Sequence, residues 1–137
     1  MNRTMDNKIA IISGGAGGLG KETALQFAIE GAIVAILDYN IEGALGASKE
    51  INEKLGKEVC FAYEVDIRNE EDIKKVIAQI VSTFDTIDVL VNCAGIARGM
   101  NQKAPDGSWL PMEDVSLEDF EKVISINLTG TFYSRSM

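Results

Sequence analysis

Four short apolar runs, each closing at a small or acidic residue, alternate along this chain with segments of helical apolar spacing, and that alternation leaves few folds open. The runs are Lys8 to Ser13, Ala32 to Leu37, Val59 to Val65 and Ile87 to Val91. Their apolarity is continuous, which suits strands buried on both faces of a parallel sheet. After the first run, Leu19 to Glu30 has helical spacing, with Leu19, Thr23 and Phe27 on one stripe and Ala24 and Ala28 beside it, and Gly31 ends it. Asn40 caps a second helix with apolar positions Ile41, Ala44, Leu45, Ile51 and Leu55, stopped at Gly56. Asn69 and Asp72 resemble a capping box ahead of the clearest amphipathic stripe, Ile73, Val76, Ile77, Ile80, Val81 and Phe84. Ser116 starts a last helix carrying Phe120, Val123, Ile124, Asn127 and Leu128. Strand starts recur every ~25–30 residues, the size of a βαβ unit. Right-handed crossovers then predict an α/β fold: a partial doubly wound parallel sheet of four strands in the order 3-2-1-4, with flanking helices.

Composition narrows the function classes. The 137 residues suit one domain, and 46% apolar with 25% charged residues is an ordinary globular balance. A net charge of −8 argues against nucleic acid or an anionic membrane as partner, since both need a basic face. No apolar run approaches the ~20 residues of a membrane helix. Met1 to Lys8 is polar and leads straight into the first strand, so no signal peptide is expected. Cys60 and Cys93 are the only cysteines and read as reduced thiols of a cytoplasmic protein. There is no histidine and no Cys-x-x-Cys, which removes Ser-His-Asp and Cys-His catalysis and the usual zinc sites, so no metal is expected.

The segment Ser13-Gly14-Gly15-Ala16-Gly17-Gly18-Leu19-Gly20 lies between the first strand and the first helix. Gly15, Gly17 and Gly20 fit G-x-G-x-x-G, and Gly14, Gly18 and Gly20 fit [ST]-G-x-x-x-G-x-G. Both patterns describe one mechanism: a turn needing positive φ, close backbone approach to a pyrophosphate, and a helix N-terminus facing that anion. Asp38 closes the second strand eighteen residues after Gly20, where a carboxylate can accept both ribose hydroxyls of an adenosine. No Lys or Arg lies between Gly31 and Ser48 to receive a 2′-phosphate, so NAD is the expected cofactor. Asp66 closes the third strand and reads either as an adenine neighbour or as a solvated strand-end acid.

Taken together, Ser13-Gly14-x-x-x-Gly18-x-Gly20, Asp38, Asp66-Ile67, Asn92-Cys93-Ala94-Gly95 and Asn127 within Ile126-Asn127-Leu128-Thr129-Gly130-Thr131-Phe132 resemble the short-chain dehydrogenase/reductase family, in the family's order. The resemblance implies a Rossmann-type fold and an oxidoreductase moving a hydride between NAD and an alcohol or ketone, 3-oxoacyl groups included. It implies that Gly14, Gly18 and Gly20 shape the pyrophosphate turn, with Leu19 offering its backbone amide. Asp38 would meet the ribose, and Asp66 with Ile67 the adenine. Asn92, Ala94 and Gly95 would line the cofactor. Asn127 would open an Asn-Ser-Tyr-Lys catalytic set by bending its helix and holding a water. A homo-oligomer is implied for the complete protein.

Three features depart from the family pattern. Cys93 stands where a second Asn is usual. The loop from Ile96 to Val115 is long, reading equally as a substrate lid carrying Trp109 or as a surface insertion. No Tyr-x-x-x-Lys is present: four residues after Tyr39, Tyr63 and Tyr133 come Gly43, Ile67 and Met137. Residues 1–137 are therefore expected to be a cofactor-binding domain that stops before the catalytic Ser and Tyr-x-x-x-Lys, and to be inactive alone. A non-catalytic NAD-binding module is the alternative. A SAM-dependent methyltransferase fits less well, because Ile11, Ile12 and Ser13 precede the glycines where such enzymes usually have an acid.

Overall fold

A computed structural model describes residues 3–96 and 103–135. Four strands, β1 (Ile9–Ser13), β2 (Ile33–Asp38), β3 (Cys60–Glu64) and β4 (Val89–Asn92), form one parallel sheet in the order β3-β2-β1-β4. This is the order expected from right-handed crossovers. Between the strands run α1 (Gly18–Ile29), α2 (Ile41–Leu55) and α3 (Glu70–Phe84). After β4 come a short 3₁₀ turn (Met112–Asp114), α4 (Leu117–Ile124), a π-helical turn (Ser125–Gly130) and α5 (Thr131–Ser134). Among the described residues no helix is long and apolar enough to cross a membrane.

The two-residue period of a strand sorts the core into two layers. Ala10, Ile12, Val34, Ile36 and Cys60 point to one face and meet Ala24 and Ala28 of α1 and Ala44, Ala47 and Ile51 of α2. Ile9, Ile11, Ala35, Leu37 and Val65 point to the other and meet Ile73, Val76 and Ile80 of α3, with Ile126 and Tyr133 packed at the margin. β1 and most of β2 are fully enclosed, which explains their unbroken apolarity.

Two helices present other faces than periodicity alone suggests. In α1 the buried stripe is Gly20, Ala24 and Ala28, while Leu19 is 83% exposed. Small residues win that face because α1 lies close on the sheet. In α2, Leu45 is exposed, and buried Ser48 takes a core position by donating to the Cys60 carbonyl. Asn52 adds a clasp: its Oδ1 accepts from Val59 and Cys60 N–H at 2.9 and 2.8 Å, and its Nδ2 donates to the Cys60 carbonyl. These bonds seat the start of β3. Burial also pushes the Cys60 thiol up to about 11.

The helices that start from a loop follow the expected chemistry, with one exception. Asn40, Asn69 and Ser116 cap α2, α3 and α4 through side-chain oxygens. The capping box at α3 is only half formed, because the Asn69 N–H donates to the Asp66 carbonyl instead of to Asp72. The exception is α1, whose Gly17 cap offers no side chain and whose first turn holds no acid.

Candidate functional site

The carboxyl ends of the strands surround a cavity of about 610 Å³ at the point where the sheet order reverses, between β1 and β4. Its floor is the glycine turn. Gly14 leaves β1 at φ +70°, and its N–H donates to the Leu37 carbonyl at 2.7 Å. A β-carbon on Gly14 would lie 2.6 Å from the backbone of Ala94, and one on Gly20 would strike the Gly14 carbonyl oxygen. Backbone here sits where side chains would otherwise be. The first-turn amides of α1, with no side-chain acceptor, face this space at the positive end of the helix dipole. Such a cradle fits a pyrophosphate.

Side chains supply the other end. Asp38, half-buried at the tip of β2, accepts from Ala16 N–H at 3.1 Å and Asn40 N–H at 3.0 Å. One donor per oxygen leaves lone pairs for a diol. Asp66, just past β3, is held differently. Arg68 donates to it from Nε (2.9 and 3.2 Å), Nη2 (2.7 Å) and its backbone N–H (3.0 Å). These bonds from Arg68 hold the Asp66 carboxyl below the usual aspartate range.

Gly14, Gly18, Leu19, Gly20, Asp38, Asp66, Ile67, Ala94 and Gly95, all singled out from the sequence, line this one cavity. Asn92, which shares the Leu90 face of β4, is not among the residues lining it. Asn127 stands behind the wall. Its Oδ1 accepts from Ile96 N–H at 2.8 Å and its Nδ2 donates to the Ile96 carbonyl at 2.9 Å. The side-chain amide thus pairs with the chain leaving β4 like a strand partner. Asn127 lies within the π-helical turn Ser125–Gly130 that joins α4 to α5. Asn127→Ala should cost about 1 kcal/mol, because two exposed hydrogen bonds are lost. The readout is the Ile96 amide, whose hydrogen exchange should quicken roughly fivefold.

Sequence reasoning missed Arg68, Leu37, Tyr39, Asn40, Val65, Ile96, Lys122 and Ile126 in the cavity wall. For Arg68 a signal existed: a carboxylate and a guanidinium two residues apart at a strand end. The thiol of Cys93 replaces an amide in the wall, while its N–H keeps a backbone bond to the Ser13 carbonyl. Part of the long loop, 97–102, lies outside the described residues. Beyond it Lys103 and Trp109 form an antiparallel bridge around a turn at Gly107, with the Lys103 ammonium 5.2 Å from the centroid of the exposed Trp109 ring. Among the described residues no cluster of three or more Cys, Asp or Glu could hold a metal.

Comparison with known proteins agrees with this geometry. A family model described as short chain dehydrogenase matches residues 8–136. The chain is 37% identical over 134 residues to 3-hydroxyacyl-CoA dehydrogenase type-2 of Bos taurus, covering 95% of this chain and 46% of that protein. Among solved structures it resembles an NAD⁺-bound xylitol dehydrogenase (TM-score 0.83, 32% identity, 97% of this chain and 47% of that one). It also resembles a 3-ketoacyl-(acyl-carrier-protein) reductase from Brucella melitensis complexed with NADH (TM-score 0.82, 30% identity, 97% and 49%). The chain spans about half the length of these proteins.

Proposed function

This chain belongs to the short-chain dehydrogenase family, an oxidoreductase family, and from that premise we propose that residues 1–137 are the NAD-binding domain of an enzyme that interconverts an alcohol and a ketone, 3-oxoacyl groups among the candidate substrates. The observation that carries the proposal is the uncapped α1 N-terminus facing the same cavity as Asp38. The amides at the start of α1 and the turn at Gly14 would hold the pyrophosphate, Asp38 the adenosine ribose, and Asp66 with Ile67 the adenine. When bound, NAD supplies the hydride acceptor or donor. The residues of this chain bind and orient; none of its tyrosines has a lysine four positions on to serve as proton donor.

Asn127 acts in this reading as a positioning residue. With its side chain committed to Ile96, its backbone carbonyl is the group left to hold a water, and Thr131 Oγ already donates to that oxygen at 3.1 Å. Leu117, Phe120, Ile124, Leu128 and Phe132 are exposed along α4 to α5, and we assign that face to contact with a second copy.

NAD⁺ should bind roughly ten- to a hundredfold more tightly than NADP⁺, because hydrogen bonds to a charged acceptor contribute ~1.5–3 kcal/mol and each 1.4 kcal/mol is about tenfold. Asp38→Ala should weaken NAD⁺ by that factor and spare NADP⁺. Titration calorimetry with both dinucleotides tests it; equal affinities in the parent chain would refute the choice of NAD.

A further inference from the structure

Arg68 is the part of the cavity wall that dinucleotide binding, as described above, leaves without a task. Its guanidinium and the Lys122 ammonium are the two cationic side chains lining the cavity among the described residues. Arg68 lines the same cavity as Asp38, Tyr39 and Asn40, the residues at and just past the tip of β2. A guanidinium there is a ready receptor for a phosphate monoester, since its planar fork matches phosphate oxygens. In this structure the fork is turned elsewhere: Nε and Nη2 both grip Asp66. The two carboxylates of the cavity therefore differ. Asp38 is held by backbone N–H groups and stays open to a ligand, whereas Asp66 is closed on a cation. The Arg68 side chain is 40% exposed, so it is Asp66, more than packing, that fixes where the guanidinium points.

We propose that Asp66 is a positioning residue that sets cofactor specificity by sequestering Arg68. Its carboxylate keeps the guanidinium from serving a phosphate on the adenosine ribose. Exclusion of the 2′-phosphorylated dinucleotide then has two sources, Asp38 by direct repulsion and Asp66 through Arg68. This inference rests on the proposed preference for NAD. It adds to the adenine contact proposed for Asp66, which by itself gives no reason for the carboxylate to be closed on an arginine.

The test is equilibrium binding of NAD⁺ and NADP⁺ to the full chain by calorimetry, with melting curves for each variant. Asp66→Asn should shift the ratio of affinities roughly tenfold toward NADP⁺, the size of one charge-assisted contact. Adding Arg68→Gln should abolish the shift, and Asp66→Glu should keep the parent ratio. Arg68→Gln alone should leave NADP⁺ affinity unchanged, because the guanidinium is already occupied. The proposal is overturned if Asp66→Asn weakens both dinucleotides equally, if the shift survives in the double variant, or if Arg68→Gln alone loses NADP⁺ binding. A parent chain that binds both dinucleotides equally would sink the role given to Asp38. The Asp66 effect is a change in ratio that depends on Arg68, so it is read separately.

Discussion

Purified as a 137-residue polypeptide, the chain is expected to give no steady NADH production with any secondary alcohol or 3-hydroxyacyl thioester. General acid–base groups typically supply about 10²–10⁴-fold, and the chemistry implied by the family needs a tyrosine assisted by a lysine. None of the three tyrosines can substitute. Tyr63 lies on β3 against the α3-side core, and burial raises its hydroxyl above the usual tyrosine range, the wrong direction for a base. Tyr133 packs on the same layer from α5. Tyr39 lines the cavity but is exposed, with no lysine four residues on to assist it. The chain has no histidine to take the role. A panel of alcohols and thioesters followed at the NADH absorbance is the assay, and sustained turnover would refute the expectation.

The second large effect is structural. Gly14→Val should lower stability by about 3–5 kcal/mol and abolish measurable NAD⁺ binding. The left-handed backbone costs a β-branched residue ~1–2 kcal/mol or more, and forcing a side chain into packed backbone adds roughly 1–3 kcal/mol. Both apply, since φ is +70° and the new β-carbon would lie 2.6 Å from Ala94 N and Cα. For a chain of this length the melting temperature should fall by roughly 10–15 °C. Gly17→Ala is the matched control. Gly17 has extended backbone at φ −163°, and a β-carbon there meets nothing within 4 Å. That variant should melt within about 2 °C of the parent, as surface substitutions usually do. Equal loss in both would mean that the turn is sensitive to any side chain, whatever its geometry.

Much of this architecture was legible in the sequence because it depends on local periodicity. The stripe Ile73, Val76 and Ile80 marks the core face of α3 outright, and unbroken apolar runs mark β1 and β2 as enclosed. What stayed hidden depends on distance between elements. Nothing in the spacing of α1 says that Gly20, Ala24 and Ala28 face the sheet in preference to Leu19, because that choice follows from how closely the helix approaches. Arg68 is likewise remote from Asp38 in sequence and lines the same cavity. The absence of Lys or Arg between Gly31 and Ser48 therefore describes one strand end, whereas residues from more than one strand end line the cavity. The clasp of Asn127 on Ile96 spans 31 residues and had no signal in the spacing; the family resemblance gave Asn127 a different task, holding a water.

The cavity is built of two materials, and they differ in how they can evolve. At the glycine turn the ligand-facing groups are main-chain amides, which every residue but proline carries, so a substitution there alters the shape of the cradle without offering a new contact. At the other end the groups are the side chains of Asp38, Tyr39, Asp66 and Arg68, at the tips of β2 and β3, where each substitution offers a ligand a different contact. Under the proposed reading, descendants of this sequence could drift between dinucleotides while keeping the turn that would hold the pyrophosphate. The anchor is inherited as a conformation and the choice of cofactor as a handful of side chains.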